Sequence, residues 1–286
     1  MRSPKTIDEM SWVDVDEAIK AGAETVLLVV GATENHGPHN PLSVDTAIVL
    51  EHARIAADKL GNEGIRVLIA PPIPYGMSHH HLPFPGSVAL RPSTLQNLIV
   101  DVCQSLIDAG INNIILLAGH SGAEQIACMV NSRLELVERF GVSVGIFDRA
   151  TADRRKQVEE SQILKSKGPD TNGMEHAGEE ETSEMMAVAP KLIRKDRLTR
   201  NLPKEALEVY RTVPALRYPC RKGGIRLRSG RYAVAPGPRE FTAGKGFAGD
   251  VTVASEETGR KLNDMIAEQL AKFVKSFLKE AKKEYK

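Results

Sequence analysis

The stretch Thr25-Val26-Leu27-Leu28-Val29-Val30, running into Gly31-Ala32-Thr33-Glu34-Asn35-His36-Gly37-Pro38-His39, decides the fold. Six consecutive β-branched or aliphatic residues make a strand that is apolar on both faces, as strands inside a covered parallel sheet are. Three further runs share this character: Val67 to Ala70, Ile114 to Leu117 and Val142 to Phe147. Between them lie helical segments, Val44 to Leu60, Pro92 to Ala109 and Glu124 to Phe140. Pro92 suits a first helical turn, and Gly61, Gly110 and Gly141 stand where helices commonly end. This alternation predicts an α/β fold, a three-layer αβα sandwich around a mostly parallel sheet with right-handed crossovers.

The second half reads differently. Lys165 to Gly173 is a polar, turn-rich stretch, and Ala177 to Val188 reads as a helix. Arg217 to Glu240 is basic and rich in Gly and Pro, with strand-like Gly224 to Arg228 and Arg231 to Val234 on either side of Ser229-Gly230. That pattern predicts a hairpin. Ser255 to Lys283 reads as a long helix, acidic at its start and lysine-rich at its end in accord with the helix dipole. The expectation is one domain over residues 1–286, carrying a basic, hairpin-containing insertion around 205–245.

Of the 286 residues 42 % are hydrophobic and 26 % charged, a globular balance that excludes disordered, collagen-like and coiled-coil classes. Lys and Arg number 38 against 37 Asp and Glu, a net charge of +1. No overall basic field draws the chain to nucleic acid or anionic lipid, so a small-molecule substrate is the expected partner. Cys103, Cys128 and Cys220 form no CxxC pair, which points to a reducing compartment. The N-terminus lacks a signal peptide's apolar core, and the run Val26 to Val30 is far too short to span a bilayer. A cytoplasmic location is expected. The eight histidines are unevenly placed, at 36, 39, 52, 79, 80, 81, 120 and 176, with none beyond.

Imidazole is the commonest transition-metal ligand, so that distribution marks where chemistry gathers. Glu34 and His36, at i and i+2 in extended backbone, project to the same side just beyond the first strand. Asp45 follows at a helix start, and the strand ending at Leu117 runs into Ala118-Gly119-His120-Ser121-Gly122. Ligands bind beyond the carboxyl ends of strands in open α/β sheets. A convergent set of Glu34, His36, Asp45 and His120 suits Zn, Mn or Fe, with Asp45 able to bridge two ions. A single imidazole near a strand end is more often a hydrogen-bonded core residue, and it is the pair of motifs that points to a ligand set; helical His52 reads as packing.

Two motifs point elsewhere. Gly244 to Gly249 fits GxGxxG but precedes no βαβ unit, so it reads as a glycine-rich turn. Gly119 to Ala123 resembles a nucleophile elbow, in which Ser121 would need His176 as base and Asp148, Asp153 or Asp170 to orient it. That serine-hydrolase reading leaves Glu34, His36 and Asp45 unexplained.

Four blocks, in order, resemble the creatininase family of amidohydrolases over most of the first 190 residues. Gly31 to His39 with Pro41-Leu42 and Asp45 is similar to its G-x-x-E-x-H-G-x-H-x-P-L-x-x-D motif. Tyr75-Gly76-Met77-Ser78 with His81 to Ser87 resembles Y-G-x-S-x-x-H-x-x-F-P-G-T. Gly119-His120 with Gly122 is similar to N-G-H-G-G-N, and Glu175 to Glu179 with Glu181-Thr182-Ser183 to E-H-A-G-E-x-E-T-S. The resemblance implies an αβα sandwich, hydrolysis of an amide or similar bond, and a homo-oligomer, usually a hexamer. It implies one or two divalent ions per subunit, Zn first, with Mn or Fe as the others.

By position, Glu34, His36, Asp45 and His120 match metal ligands, Glu175 and His176 proton-transfer residues, and Ser78 a substrate contact. The family's creatinine hydrolases carry Glu two residues after the metal His; Gly122 stands here, leaving Glu181 or Glu124 to supply the ligand. They also carry a Trp four residues before the motif His and an aromatic after the metal His, where this chain has Asn172 and Ser121. Creatinine is therefore not favoured. Of His79-His80-His81, His81 is expected on the pocket wall and the other two exposed or at a subunit contact, since consecutive residues in regular structure cannot all face one ion.

The expected activity is metal-dependent hydrolysis of a cyclic amide, formamide or related carbonyl compound by metal-activated water, with Ser78, His81 and Ser121 against the substrate. A keto-cyclitol or lactone-type sugar-derived ring is the alternative substrate on the same site. A non-catalytic metal-binding protein of the same fold is a further alternative, as is the Ser121 hydrolase. The arginines of Arg217 to Arg239 either favour an anionic substrate or form a solvated or subunit-facing surface.

Overall fold

A computed structural model describes residues 6–150, 152–166, 176–201, 219–220, 225–226, 232–236 and 242–284. Four strands, β1 (Thr25–Val30), β2 (Leu68–Ile69), β3 (Asn113–Ala118) and β4 (Ser143–Asp148), form a wholly parallel sheet in the order β2-β1-β3-β4. All six β1 residues are buried, as a strand covered on both faces requires. Side chains alternate between the two layers. Val26, Leu28 and Val30 pack toward α3 (Pro92–Asp108) and α4 (Ala123–Phe140), whereas Leu27 and Val29 pack toward α2 (Val44–Asn62) and the last helix (Glu256–Glu284). The three-layer α/β sandwich predicted from the strand and helix pattern is thus the observed architecture.

Two helices escaped the pattern. The first, α1 (Trp12–Lys20), carries a capping box in which Asp14 N donates to Ser11 Oγ (3.2 Å) and Ser11 N to the Asp14 carboxylate (2.9 Å). It buries no residue completely and leaves Trp12 79 % exposed, although Val15, Ala18 and Ile19 pack against the core. The second, α5 (Ala152–Ser161), is almost wholly polar. The next, α6, begins at Glu179 rather than Ala177 and runs to Val188, because Ala177 takes a left-handed φ of 53° that breaks the helix. Glu256–Glu284 is then α7.

Past α6, β5 (Arg200–Asn201) pairs antiparallel with the late strand Gly249–Asp250. Within the basic segment, β6 (Pro219–Cys220) runs parallel to β8 (Tyr232–Pro236), and β7 (Ile225–Arg226) antiparallel to it; Gly249–Asp250 is β9. The turn at Ser229-Gly230, most of Lys165 to Gly173, and Asp170 and Asn172 lie outside the described residues, as do the arginine side chains of Arg217 to Arg239. No helix among the described residues is long and apolar enough to cross a membrane.

The strand order places the site. The chain moves outward from β1 to β2, then returns to the other side of β1 for β3, so the order reverses between β1 and β3. At such a switch point the two connections leave in opposite directions and open a crevice beyond the strand ends. Glu34 and His36 follow β1 into that crevice, and His120 follows β3.

Candidate metal centre

Backbone packing brings the strand ends together. A Cβ on Gly119 would lie 2.5 Å from the Asp45 carbonyl oxygen and 2.9 Å from Gly31 Cα, so only glycine lets β3 close against β1 and the start of α2. His120 is thereby set beside Asp45. Glu34, His36, Asp45 and His120 are all at least nine-tenths buried.

His36 Nδ1 donates to the Glu34 carbonyl oxygen (3.2 Å), which fixes the tautomer and turns the Nε2 lone pair inward. That Nε2 lies 3.2 Å from Asp45 Oδ1 and 3.7 Å from Glu181 Oε2 without hydrogen-bond geometry to either. His120 Nδ1 lies 3.2 Å from Glu34 Oε2 and 3.5 Å from Asp45 Oδ2. His36 Nε2, Asp45 Oδ2 and His120 Nε2 are buried and unpartnered. The lone pairs of His36 Nε2 and Asp45 Oδ1, 3.2 Å apart, repel unless a proton or cation lies between them.

The charges respond accordingly. Burial works against a positive His36, but Asp45, Glu181 and Glu34 outweigh it and push the imidazole up to about 9. His120 is likewise raised well above its ordinary value, burial being overcome by Glu34 and Asp45. Burial raises Glu34, yet the charges of His120 and His81 hold its carboxyl well below the usual range. The cluster therefore draws positive charge inward, from protons or from a divalent ion. Two groups of three donors, Glu34-Asp45-His120 and His36-Asp45-Glu181, each have ligand atoms within 4.8 Å of one another and share Asp45. Mixed imidazole and carboxylate donors of this kind fit Zn, Mn or Fe.

Of the two residues that could replace a ligand at 122, Glu181 lies in one of these groups, whereas Glu124 joins none among the described residues. A Cβ on Gly122 would come within 2.3 Å of His120 Nε2, so the imidazole fills the space that a larger residue would take. Glu181 is held by a 2.7 Å hydrogen bond from Ala177 N, at the residue with positive φ.

Of the expected substrate and proton-transfer residues, Ser78, His81 and His176 fall around this cluster. Ser78 is fully buried, and its hydroxyl donates to Glu34 Oε2 at 2.5 Å. His81 Nε2 lies 3.3 Å from Glu34 Oε1. His176 Nε2 donates to the Asn35 carbonyl oxygen (2.8 Å), which makes Nδ1 the ring's basic nitrogen. Its ring centroid is 4.6 Å from those of both His36 and His81. Burial and the His36 charge lower His176. Ser121 Oγ donates to Asp148 (2.8 Å), so a carboxylate stands where the serine reading requires an imidazole. Glu175 lies outside the described residues.

Three features went unread in the sequence. His80, expected at the surface or a subunit contact, is half-buried with its ring 4.4 Å from His81 and 5.4 Å from His120, because His79–His81 is a 3₁₀ turn. His52 does more than pack, its Nε2 lying 3.0 Å from Glu184 Oε1 and 2.9 Å from Asn263 Oδ1. On the same carboxylate, buried Arg149 donates to Glu184 Oε2 (2.7 Å) and to Glu180 Oε1 (3.3 Å). This network ties the end of β4 and helices α2, α6 and α7 together behind Asp45 and Glu181. The glycine-rich turn is also structural: Asn35 Nδ2 donates to the Gly246 carbonyl oxygen, Ala248 N to that of His176, and Phe247 packs edge-on against His39.

Similarity to known proteins identifies the family. The family profile described as creatinine amidohydrolase matches residues 8–274. A 3-dehydro-scyllo-inosose hydrolase of Thermotoga maritima is 26 % identical over 275 residues, 94 % of this chain and 82 % of that protein. A mycofactocin precursor peptide peptidase of Mycolicibacterium smegmatis is 30 % identical over 174 residues, 60 % and 61 % of the two chains. A solved structure described as creatininase with Mn superimposes with a TM-score of 0.71 at 23 % identity, covering 96 % of this chain and 98 % of its own. The chain belongs to the creatininase family and is an amidohydrolase-type enzyme.

Proposed function

We propose that this chain hydrolyses a small carbonyl compound at a centre of one or two divalent ions, zinc or manganese, held by Glu34, His36, Asp45, His120 and Glu181. The observation that carries the reading is the convergence of Glu34, His36, His120 and Glu181 on Asp45, with His36 Nε2 and Asp45 Oδ2 buried and unpartnered. A divalent ion bound there supplies Lewis acidity, polarising a carbonyl and lowering the pKa of water from 15.7 to about 7.

The chain's own residues do the rest. Ser78 fixes the Glu34 carboxylate by its short hydrogen bond, and the Glu34 carbonyl oxygen fixes His36. His176, lowered by burial and by the His36 charge, takes a proton at Nδ1 from the attacking water and passes it to the leaving group. Glu175 is assigned to assist this transfer. His81 and Ser121 border the substrate.

The substrate class is a cyclic amide, formamide or related carbonyl compound. A keto-cyclitol or lactone-type ring is the second reading, favoured by the Thermotoga maritima relative that matches nearly the whole chain and by Ser121 in place of a flat aromatic clamp. The test is a screen of cyclic amides, formamides, lactones, cyclic diketones and short peptides with and without chelator. Turnover abolished by chelator and restored by Zn or Mn supports the proposal. Activity indifferent to chelator and to Asp45→Ala but lost in Ser121→Ala would overturn it.

A further inference from the structure

Glu34 presents its two carboxylate oxygens to different partners. Oε2 faces His120 and accepts the Ser78 hydroxyl, while Oε1 faces His81. On the Oε1 side, Glu34, His80 and His81 offer one ligand atom each, all within 4.8 Å of one another. Among the four such groups in the described residues, this one alone contains neither Asp45 nor His36. His81 is 2 % exposed, and the Nδ1 atoms of both His80 and His81 are buried without a hydrogen-bond partner.

We propose that Glu34, His80 and His81 form an additional site for a borderline divalent transition ion such as Zn²⁺ or Cu²⁺, joined to the principal centre through the two oxygens of Glu34. Two imidazoles and one carboxylate favour such ions over Mn²⁺, whereas both groups that share Asp45 hold two carboxylates and one imidazole. His80 is the more exposed of the pair, so the site loads from solvent on that side. An ion there occupies the wall assigned above to substrate, and excess Zn²⁺ therefore inhibits where excess Mn²⁺ does not. This rests on the metal-centre reading only through the shared Glu34.

The test counts bound zinc by elemental analysis after dialysing the purified holo-protein against buffered Zn²⁺ from nanomolar to tens of micromolar. His80→Phe keeps a ring against His120 but removes both nitrogens; His80→Gln replaces it if the Phe variant does not fold. The expected result is a weak step of about one ion per chain in the parent that either His80 variant lacks. Identical zinc isotherms for the parent and a folded His80 variant overturn the proposal. Asp45→Ala reads the principal centre separately: if it keeps the tightly bound ions, the metal-centre reading fails while a His80-dependent step still stands.

Discussion

Removing metal turns the centre into a proton trap, and that has a measurable consequence for stability. In the metal-free protein His36 binds its second proton up to about pH 9, against 6.5 for an ordinary imidazole. A group whose proton affinity rises on folding stabilises the fold fully below its unfolded value, and the contribution disappears as pH climbs through the folded value. The window is therefore pH 6.5 to 9. The gap is worth about 3 kcal/mol at roughly 1.4 kcal/mol per tenfold change in affinity. His120, raised as well, acts in the same direction. Glu34 and Asp45, both lowered, stay ionised throughout and add no slope. At roughly 2–4 °C per kcal/mol for a chain of this size, Tm of the chelated protein should fall by about 6–12 °C between pH 6.5 and 9. Protein loaded with Zn or Mn should lack this fall, because the ion displaces the protons and binds more tightly as pH rises. Differential scanning calorimetry of chelated and loaded protein at several pH values makes the comparison. A chelated protein whose Tm is flat or rising across that window refutes the reasoning.

Further outcomes follow from individual residues. Glu181→Gln should weaken metal binding by at least about tenfold in chelator competition, whereas Glu124→Gln should not, since only Glu181 stands with His36 and Asp45. Arg149→Met should cost about 3–5 kcal/mol in urea unfolding, because Glu180 and Glu184 would keep buried charges without their cation, and Arg149→Lys should recover part of that. His39 is held down to about 4 by burial, so its share of stability is complete above pH 6.5 and lost as pH falls through 4. The acid loss in urea midpoints should accordingly be smaller by about 3 kcal/mol in His39→Gln than in the parent.

The parts of the site that the sequence shows are those carried by local geometry. Thr25 to Val30 and Ile114 to Leu117 are apolar on both faces, so they had to be interior strands, and the residues just beyond them had to meet at the sheet's carboxyl edge. Glu34 and His36 share a direction because they are two residues apart, a relation that survives any tertiary arrangement. His80 did not follow, because a 3₁₀ turn rotates consecutive side chains into positions that neither strand nor helix spacing provides. Arg149 and His52 meet on Glu184 only through the packing of α2 and α6 against the end of β4, across sequence separations of 35 and 132 residues. Gly244 to Gly249 was legible as a turn, but its hold on Asn35, across a separation of 211 residues, was not. Polar α5 lacks the apolar stripe by which helices are read, whereas α1 was legible, with Trp12, Val15 and Ile19 on one face and Ser11-x-x-Asp14 as its start signal.

The central claim is that Asp45 joins two sets of ligands into one metal centre. Elemental analysis of the purified chain beside Asp45→Ala, with folding of both verified by circular dichroism, tests it most directly. The parent should hold about one or two zinc or manganese ions per chain and the variant less than about a tenth of that. A folded Asp45→Ala protein that retains the parent's tightly bound metal would contradict it.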